Sequence, residues 1–143
     1  MPLLYTANAN VAGGRTGHGT TTDGKLDLDL SRPGSNGPGT NPEQLFAIAY
    51  GACFEGALAT VARRQRVDLG TTSIASLVEL HSAEDGSFHI EAGLDVTIPG
   101  VDDAEQARAL VLEAHRVCPY SNALRGNVDV ILTVNGAPVP THV

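Results

Sequence analysis

The sequence predicts an α+β domain: a mainly antiparallel sheet with two principal helices packed on one face. Three observations carry this. Apolar and polar residues alternate strictly around Leu26–Leu30, Phe88–Ile98 and Val128–Val134, the period of half-buried strands. A small-residue apolar run after Asn41 and an amphipathic run after Asp103 carry helix-start signals. With 143 residues, the chain is the length of one domain over 1–143 with one core.

At the N-terminal end, a weak strand is expected over 3–11, followed by a strand in which Leu26, Leu28 and Leu30 alternate with Lys25, Asp27, Asp29 and Ser31. Two glycine-dense loops, 13–19 and 32–40, punctuate this region and are long enough to be functional. Asn41, Pro42 and Glu43 then make a helix start: a capping side chain, a Pro whose missing N–H costs nothing there, and an acid at the positive end of the dipole. The helix should run to about Arg66. Its many Ala and Gly residues allow close approach of other backbones, so it reads as central and buried. Ile74–Leu80, a turn at Glu84-Asp85-Gly86, and the alternation Phe88 to Ile98 predict an antiparallel hairpin with one wet face. Asp102 and Asp103 open a second helix that must falter near Cys118, because Pro119 follows. Val128, Val130, Leu132 and Val134 supply a last strand.

Composition narrows the function. Nine Lys plus Arg against 16 Asp plus Glu give a net charge of −7, and Lys25 is the only lysine, which argues against nucleic acid as a partner. No segment reads as a membrane span, and the N-terminus lacks the basic start and apolar stretch of a targeting peptide, so a soluble, cytoplasmic protein is expected. Two cysteines do not make a disulfide scaffold in a chain of this size.

Cys53 falls within the small-residue helix and Cys118 at the end of the second helix. Their spacing alone does not pair them, and two inert core thiols remain an open reading. His115 stands three residues before Cys118, and His18 lies in a glycine loop. Yet the chain has no Cys-x-x-Cys and no His-x-x-x-His, the tight pairs that a structural zinc site uses. The loop around Arg15 lacks the Gly-Lys-Ser/Thr ending of a phosphate cradle.

Taken together, three segments are more specific: Gly13-Gly14-Arg15; Thr40-Asn41-Pro42-Glu43-Gln44-Leu45-Phe46 through Ala52-Cys53-Phe54; and His115-Arg116-Val117-Cys118-Pro119-Tyr120-Ser121-Asn122-Ala123 with Arg125-Gly126-Asn127. The chain resembles the organic hydroperoxide resistance (Ohr) family of the Ohr/OsmC superfamily over nearly its whole length, and the Val-Cys-Pro-Tyr-Ser-Asn block separates that family from the OsmC branch. Two positions depart from the pattern: Thr16 stands where an Asp often follows the arginine, and Glu55 puts an acid two residues after Cys53. A two-residue offset is about 200° around a helix, so Glu55 should point away from Cys53.

The resemblance implies an OsmC/Ohr-like intertwined homodimer and a thiol peroxidase without a cofactor or metal, reducing organic hydroperoxides, fatty acid hydroperoxides included, to alcohols. Cys53 would be the peroxidatic cysteine and Cys118 the resolving one. Dihydrolipoamide or lipoylated proteins would return the electrons. Such a Cys53 needs a cation to hold its thiolate at neutral pH, and Arg15 is the candidate, with Glu43 fixing its direction. Outside the family context, Arg15 reads better as a solvated loop charge and Glu43 as an acid complementing the helix dipole. Glu43 and Cys53 are about 15 Å apart along one helix axis. If Arg15 and Glu43 act together on the thiolate, the simplest arrangement takes them from the other subunit. A non-catalytic module holding a small apolar ligand, or a peroxide-sensing dimer, is the alternative class.

Overall fold

The computed structural model describes residues 1–141, so His142 and Val143, the end of the expected domain, lie outside the described residues. The chain divides into two compact units, 1–45 and 46–143, each treated by itself below.

The first unit is a three-stranded antiparallel sheet in the order β1-β2-β3, formed by β1 (Ala9–Ala12), β2 (His18–Thr21) and β3 (Asp27–Asp29). The strand expected over 3–11 is confined to β1, because pairing extends only from Ala9↔Thr21 to Ala12↔His18. Leu3, Leu4 and Tyr5 are exposed. The strand expected around Leu26–Leu30 is likewise shorter, and Leu30 instead makes a parallel bridge to Thr40. β2 was not expected, since Gly17 and Gly19 gave its stretch the look of a loop; cross-strand hydrogen bonds on both sides override that local preference. The β2–β3 turn is held by Asp23, whose Oδ1 accepts from Thr21 Oγ1 at 2.7 Å and from the Lys25 N–H at 3.0 Å.

α1 (Pro42–Gln65) starts as read from the sequence: Asn41 Oδ1 accepts the Gln44 N–H at 2.8 Å. It is buried along one stripe, Tyr50, Phe54, Leu58 and Val61, whereas Ile48, Ala52, Gly56 and Ala59 on the other side are exposed in this chain. By length and composition alone α1 passes the test for a membrane-crossing helix, a test that a core helix also passes. The stripe it buries makes it the core helix of its unit.

The second unit continues with β4 (Ser73–Ser82), β5 (Phe88–Thr97), α2 (Ala104–Val117), α3 (Pro119–Leu124), β6 (Val130–Val134) and β7 (Ala137–Val139). β4 and β5 form the expected hairpin, closed by Ala83 N–H to Ser87 O at 2.9 Å. The sheet order is β4-β5-β6-β7. As expected, the pairing is mainly antiparallel; the β5–β6 pair alone among the described strands is parallel, because β6 returns after the long crossover through α2 and α3. Ala92, Leu94, Val96, Val130, Leu132 and Val134 share the inner face and pack with α1 and α2 residues such as Leu58, Leu110 and Val111. α2 is capped by Asp103, whose side chain accepts the Gln106 N–H at 2.7 Å. β7 follows β6 through Asn135-Gly136, both at positive φ (48° and 83°), the two-residue hairpin turn that suits the twist of paired strands.

Candidate active site

Cys53 is half-buried on α1, one residue before the buried Phe54 and one turn after Tyr50. Cys118 is fully buried at the junction of α2 and α3. A residue before proline is pushed out of the helical region, and Cys118 sits extended at φ −64°, ψ 124°. It closes α2 through its N–H to Ala114 O (2.8 Å), and its carbonyl accepts from the Asn122 N–H (2.9 Å) in α3. Both cysteines are free thiols. The Cys118 thiol donates to the Cys53 sulfur at 3.7 Å, so the fold brings together two residues that spacing alone left unpaired.

Burial pushes the Cys53 thiol above its ordinary pKa, the Tyr120 backbone N–H at the sulfur pulls it down, and the neighbouring Cys118 thiol raises it again. No cation is among the groups acting on this thiol among the described residues.

Tyr50 is close enough to both thiols to feel their charge, and its ring centroid lies 6.1 Å from that of Tyr120, which lies 5.8 Å from that of Phe46. The Tyr50 hydroxyl shares a 2.8 Å hydrogen bond with Ser121 Oγ, which is 2.9 Å from His115 Nδ1. Burial pushes the Tyr50 phenol up to about 12, while burial and then Arg125 push the His115 imidazole below its ordinary value. Sequence reasoning weighed His115 only as a metal ligand and missed Tyr50 and Ser121. Their signal is spacing, one helical turn from each cysteine.

Arg15 and Glu43 meet within the first unit. Arg15 belongs to the 3-10 turn Gly14–Thr16 between β1 and β2, which opens at Gly13 with a φ of 79°. Its Nη1 and Nη2 donate to Glu43 Oε2 at 2.8 Å and Oε1 at 2.7 Å, a two-point clamp. The clamp pairs the two side chains, with Arg15 43% exposed and Glu43 14% exposed. The hydrogen bonds from Arg15 hold the Glu43 carboxyl below the usual carboxylate range. Thr16 Oγ1 turns back to Gly13 O at 3.4 Å. Glu55, on α1, accepts a hydrogen bond from Thr72 Oγ1 and is absent from the groups shifting Cys53.

His18 lies on β2 between Asp29, 2.7 Å from its Nδ1, and Asp27 at its Nε2. Among the described residues, the group of three or more side chains whose metal-ligating atoms all lie within 4.8 Å of one another is Glu79, His81 and Glu91, exposed on β4 and β5. His81 Nε2 there lies 2.9 Å from a Glu79 carboxylate oxygen, a hydrogen-bonded contact on the exposed face.

The OsmC-like protein family is matched over residues 34–133. An organic hydroperoxide resistance protein of Xanthomonas axonopodis pv. citri is 49% identical over 137 residues, 92% of this chain and 95% of that protein. The organic hydroperoxide resistance protein OhrB of Bacillus subtilis is 45% identical over 132 residues, 90% of this chain and 96% of its own length. The crystal structure of OhrB from Bacillus subtilis superposes with a TM-score of 0.87 at 46% identity, covering 93% of this chain and 100% of that one.

Proposed function

This chain belongs to the OsmC-like family and to its organic hydroperoxide resistance group, and from that premise we propose that it is a cysteine-based peroxidase that reduces organic hydroperoxides to alcohols. The observation that carries the reading is the 3.7 Å contact between a half-buried and a buried free thiol, in a setting of aromatic side chains that suits an apolar peroxide.

In the proposed cycle the Cys53 thiolate attacks the distal oxygen of the peroxide. An S–O bond forms, the O–O bond breaks, and the alkoxide leaves and takes up a proton to become the alcohol. The sulfur is thereby oxidised by two electrons to a sulfenic acid. Cys118 then attacks the Cys53 sulfur; the S–S bond forms, and the departing hydroxide leaves as water with the Cys118 proton. A dithiol, for which dihydrolipoamide or a lipoylated protein is our choice, reduces the disulfide by two exchange steps and is itself oxidised.

Arg15 is the proposed cation for the thiolate. Its guanidinium keeps its proton at any working pH, and the clamp on Glu43 gives it one direction. In the homodimer we propose, Arg15 and Glu43 of one protomer serve the thiolate of the other. The family match over 34–133 crosses the boundary between the two units, which supports treating 1–143 as one functional domain. We place the enzyme in the cytoplasm as a soluble protein, where reducing conditions keep both thiols free between turnovers.

The test supplies cumene hydroperoxide and dihydrolipoamide and follows peroxide loss, with hydrogen peroxide as the comparison substrate. Turnover that favours the organic peroxide and disappears in Cys53→Ser is expected. A wild-type chain that binds the peroxide without consuming it would instead be a ligand-binding module.

A further inference from the structure

Among the described residues, Ser121 is the polar side chain that is fully buried. A hydroxyl so placed is retained when it has partners, and Ser121 has two: the Tyr50 hydroxyl at 2.8 Å and His115 Nδ1 at 2.9 Å. Burial and the nearby Arg125 favour neutral His115. With its proton on Nε2, its Nδ1 accepts from Ser121, and Ser121 accepts from Tyr50. In that tautomer the hydrogen bonds run from Tyr50 through Ser121 to His115, and with the proton on Nδ1 they run the other way. Arg125 Nη2, donating to the His115 carbonyl at 2.8 Å, holds its far end.

The placement is regular. Tyr50 lies one turn before Cys53 on α1, His115 one turn before Cys118 on α2, and Ser121 one turn after Cys118 on α3. Three elements that carry or flank the two sulfurs are thus joined close to both. The two sulfurs must contract from 3.7 Å to about 2.0 Å to form a bond. Cys118 sits between two helices, where a small rotation of α3 would carry its sulfur off line.

We propose that the Tyr50–Ser121–His115 chain is a positioning device for the resolving step, holding the Cys118 segment against α1 so that its sulfur reaches oxidised Cys53 before a second peroxide does. The inference rests on the peroxidase reading of Cys53 and Cys118 and deepens it. Two fates compete at the sulfenic acid. In one, the Cys118 sulfur forms the S–S bond and water leaves. In the other, a second hydroperoxide gives up an oxygen to the Cys53 sulfur, yielding a sulfinic acid and an alcohol.

The test compares wild type, Tyr50→Phe, Ser121→Ala and the double variant in single turnover with cumene hydroperoxide, below each protein's melting temperature. Intact mass separates the disulfide, which loses two hydrogens, from the sulfinic acid, which gains two oxygens. The ratio of disulfide closure to Cys53 oxidation is expected to fall by about tenfold or more in each single variant, as a small misplacement of reacting atoms does. The sulfinic product should rise with peroxide concentration, and the double variant should be no worse than the poorer single one, because one chain is cut twice. Closure ratios equal to wild type, or two losses that multiply in the double variant, would overturn the proposal while leaving the peroxidase reading intact. A wild-type Cys53 that the peroxide does not oxidise overturns both. Should Ser121→Ala fail to fold, Tyr50→Phe, which keeps the ring and removes one oxygen, decides alone.

Discussion

Glu43 gives Arg15 a direction as well as a partner, and that pairing has a pH signature. The Glu43 pKa is depressed in the folded chain, so the clamp's contribution is complete above the ordinary carboxylate value and is lost as pH falls through the depressed one. At neutral pH it is intact. Arg15→Ala is therefore expected to slow alkylation of Cys53 at pH 7 by roughly tenfold, the thiolate lost for a one-unit rise in pKa, with Arg15→Lys recovering part of the rate. An unchanged alkylation profile would return Arg15 to the status of a solvated loop charge. The histidines should separate in an imidazole NMR titration. His18 is raised by its hydrogen bonds to Asp29 and Asp27, so its bridge is complete below its ordinary value and fades as pH rises through the raised one. His115 should titrate below its ordinary value, from burial. A common midpoint for the two would contradict these environments. Cys53, Cys118, Arg15 and Glu43 were legible in the sequence as residue types within a family resemblance. Tyr50 was not, and Ser121 stood in the resembling block without a role, because the contact between them spans 71 positions and only their spacing from the cysteines hints at it.

The elements read most accurately were those with local chemistry at both ends. Asp103 and Pro119 bracket α2, and Asn41 opens α1. Asp103→Ala should cost about 1 kcal/mol by urea denaturation, the usual worth of such a cap. Leu110→Ala, at a position buried between α2 and the sheet, should cost roughly 2–5 kcal/mol. Equal midpoints for the two variants would mean that the cap or the core position is misread. The elements missed from sequence have physical reasons. β2 is a glycine-interrupted stretch that becomes a strand only because β1 and β3 flank it. α3 begins at the same proline that stops α2, since Cys118 in an extended conformation ends one helix and starts the next. β7 is three residues long, but the Asn135-Gly136 turn before it was a readable hairpin signal.

In the proposed homodimer, the functional unit is larger than one chain. Co-expression of Cys53→Ser with Glu43→Ala should give heterodimers with one wholly mutated and one intact site, and so about half of wild-type activity per dimer. Activity no better than the mean of the two parents, or a monomer by sedimentation at assay concentration, would contradict the shared site. The proposed cycle itself requires that Cys53 is oxidised and that Cys118 resolves it within the same chain. Its most direct test is intact mass and peptide mapping after one equivalent of an organic hydroperoxide. The account predicts that the wild-type chain loses about two hydrogens and links Cys53 to Cys118 without a covalent dimer on a non-reducing gel, while Cys118→Ser gains an oxygen on Cys53. Cross-linked dimers, or a Cys53 that stays a free thiol while peroxide is consumed, would contradict it.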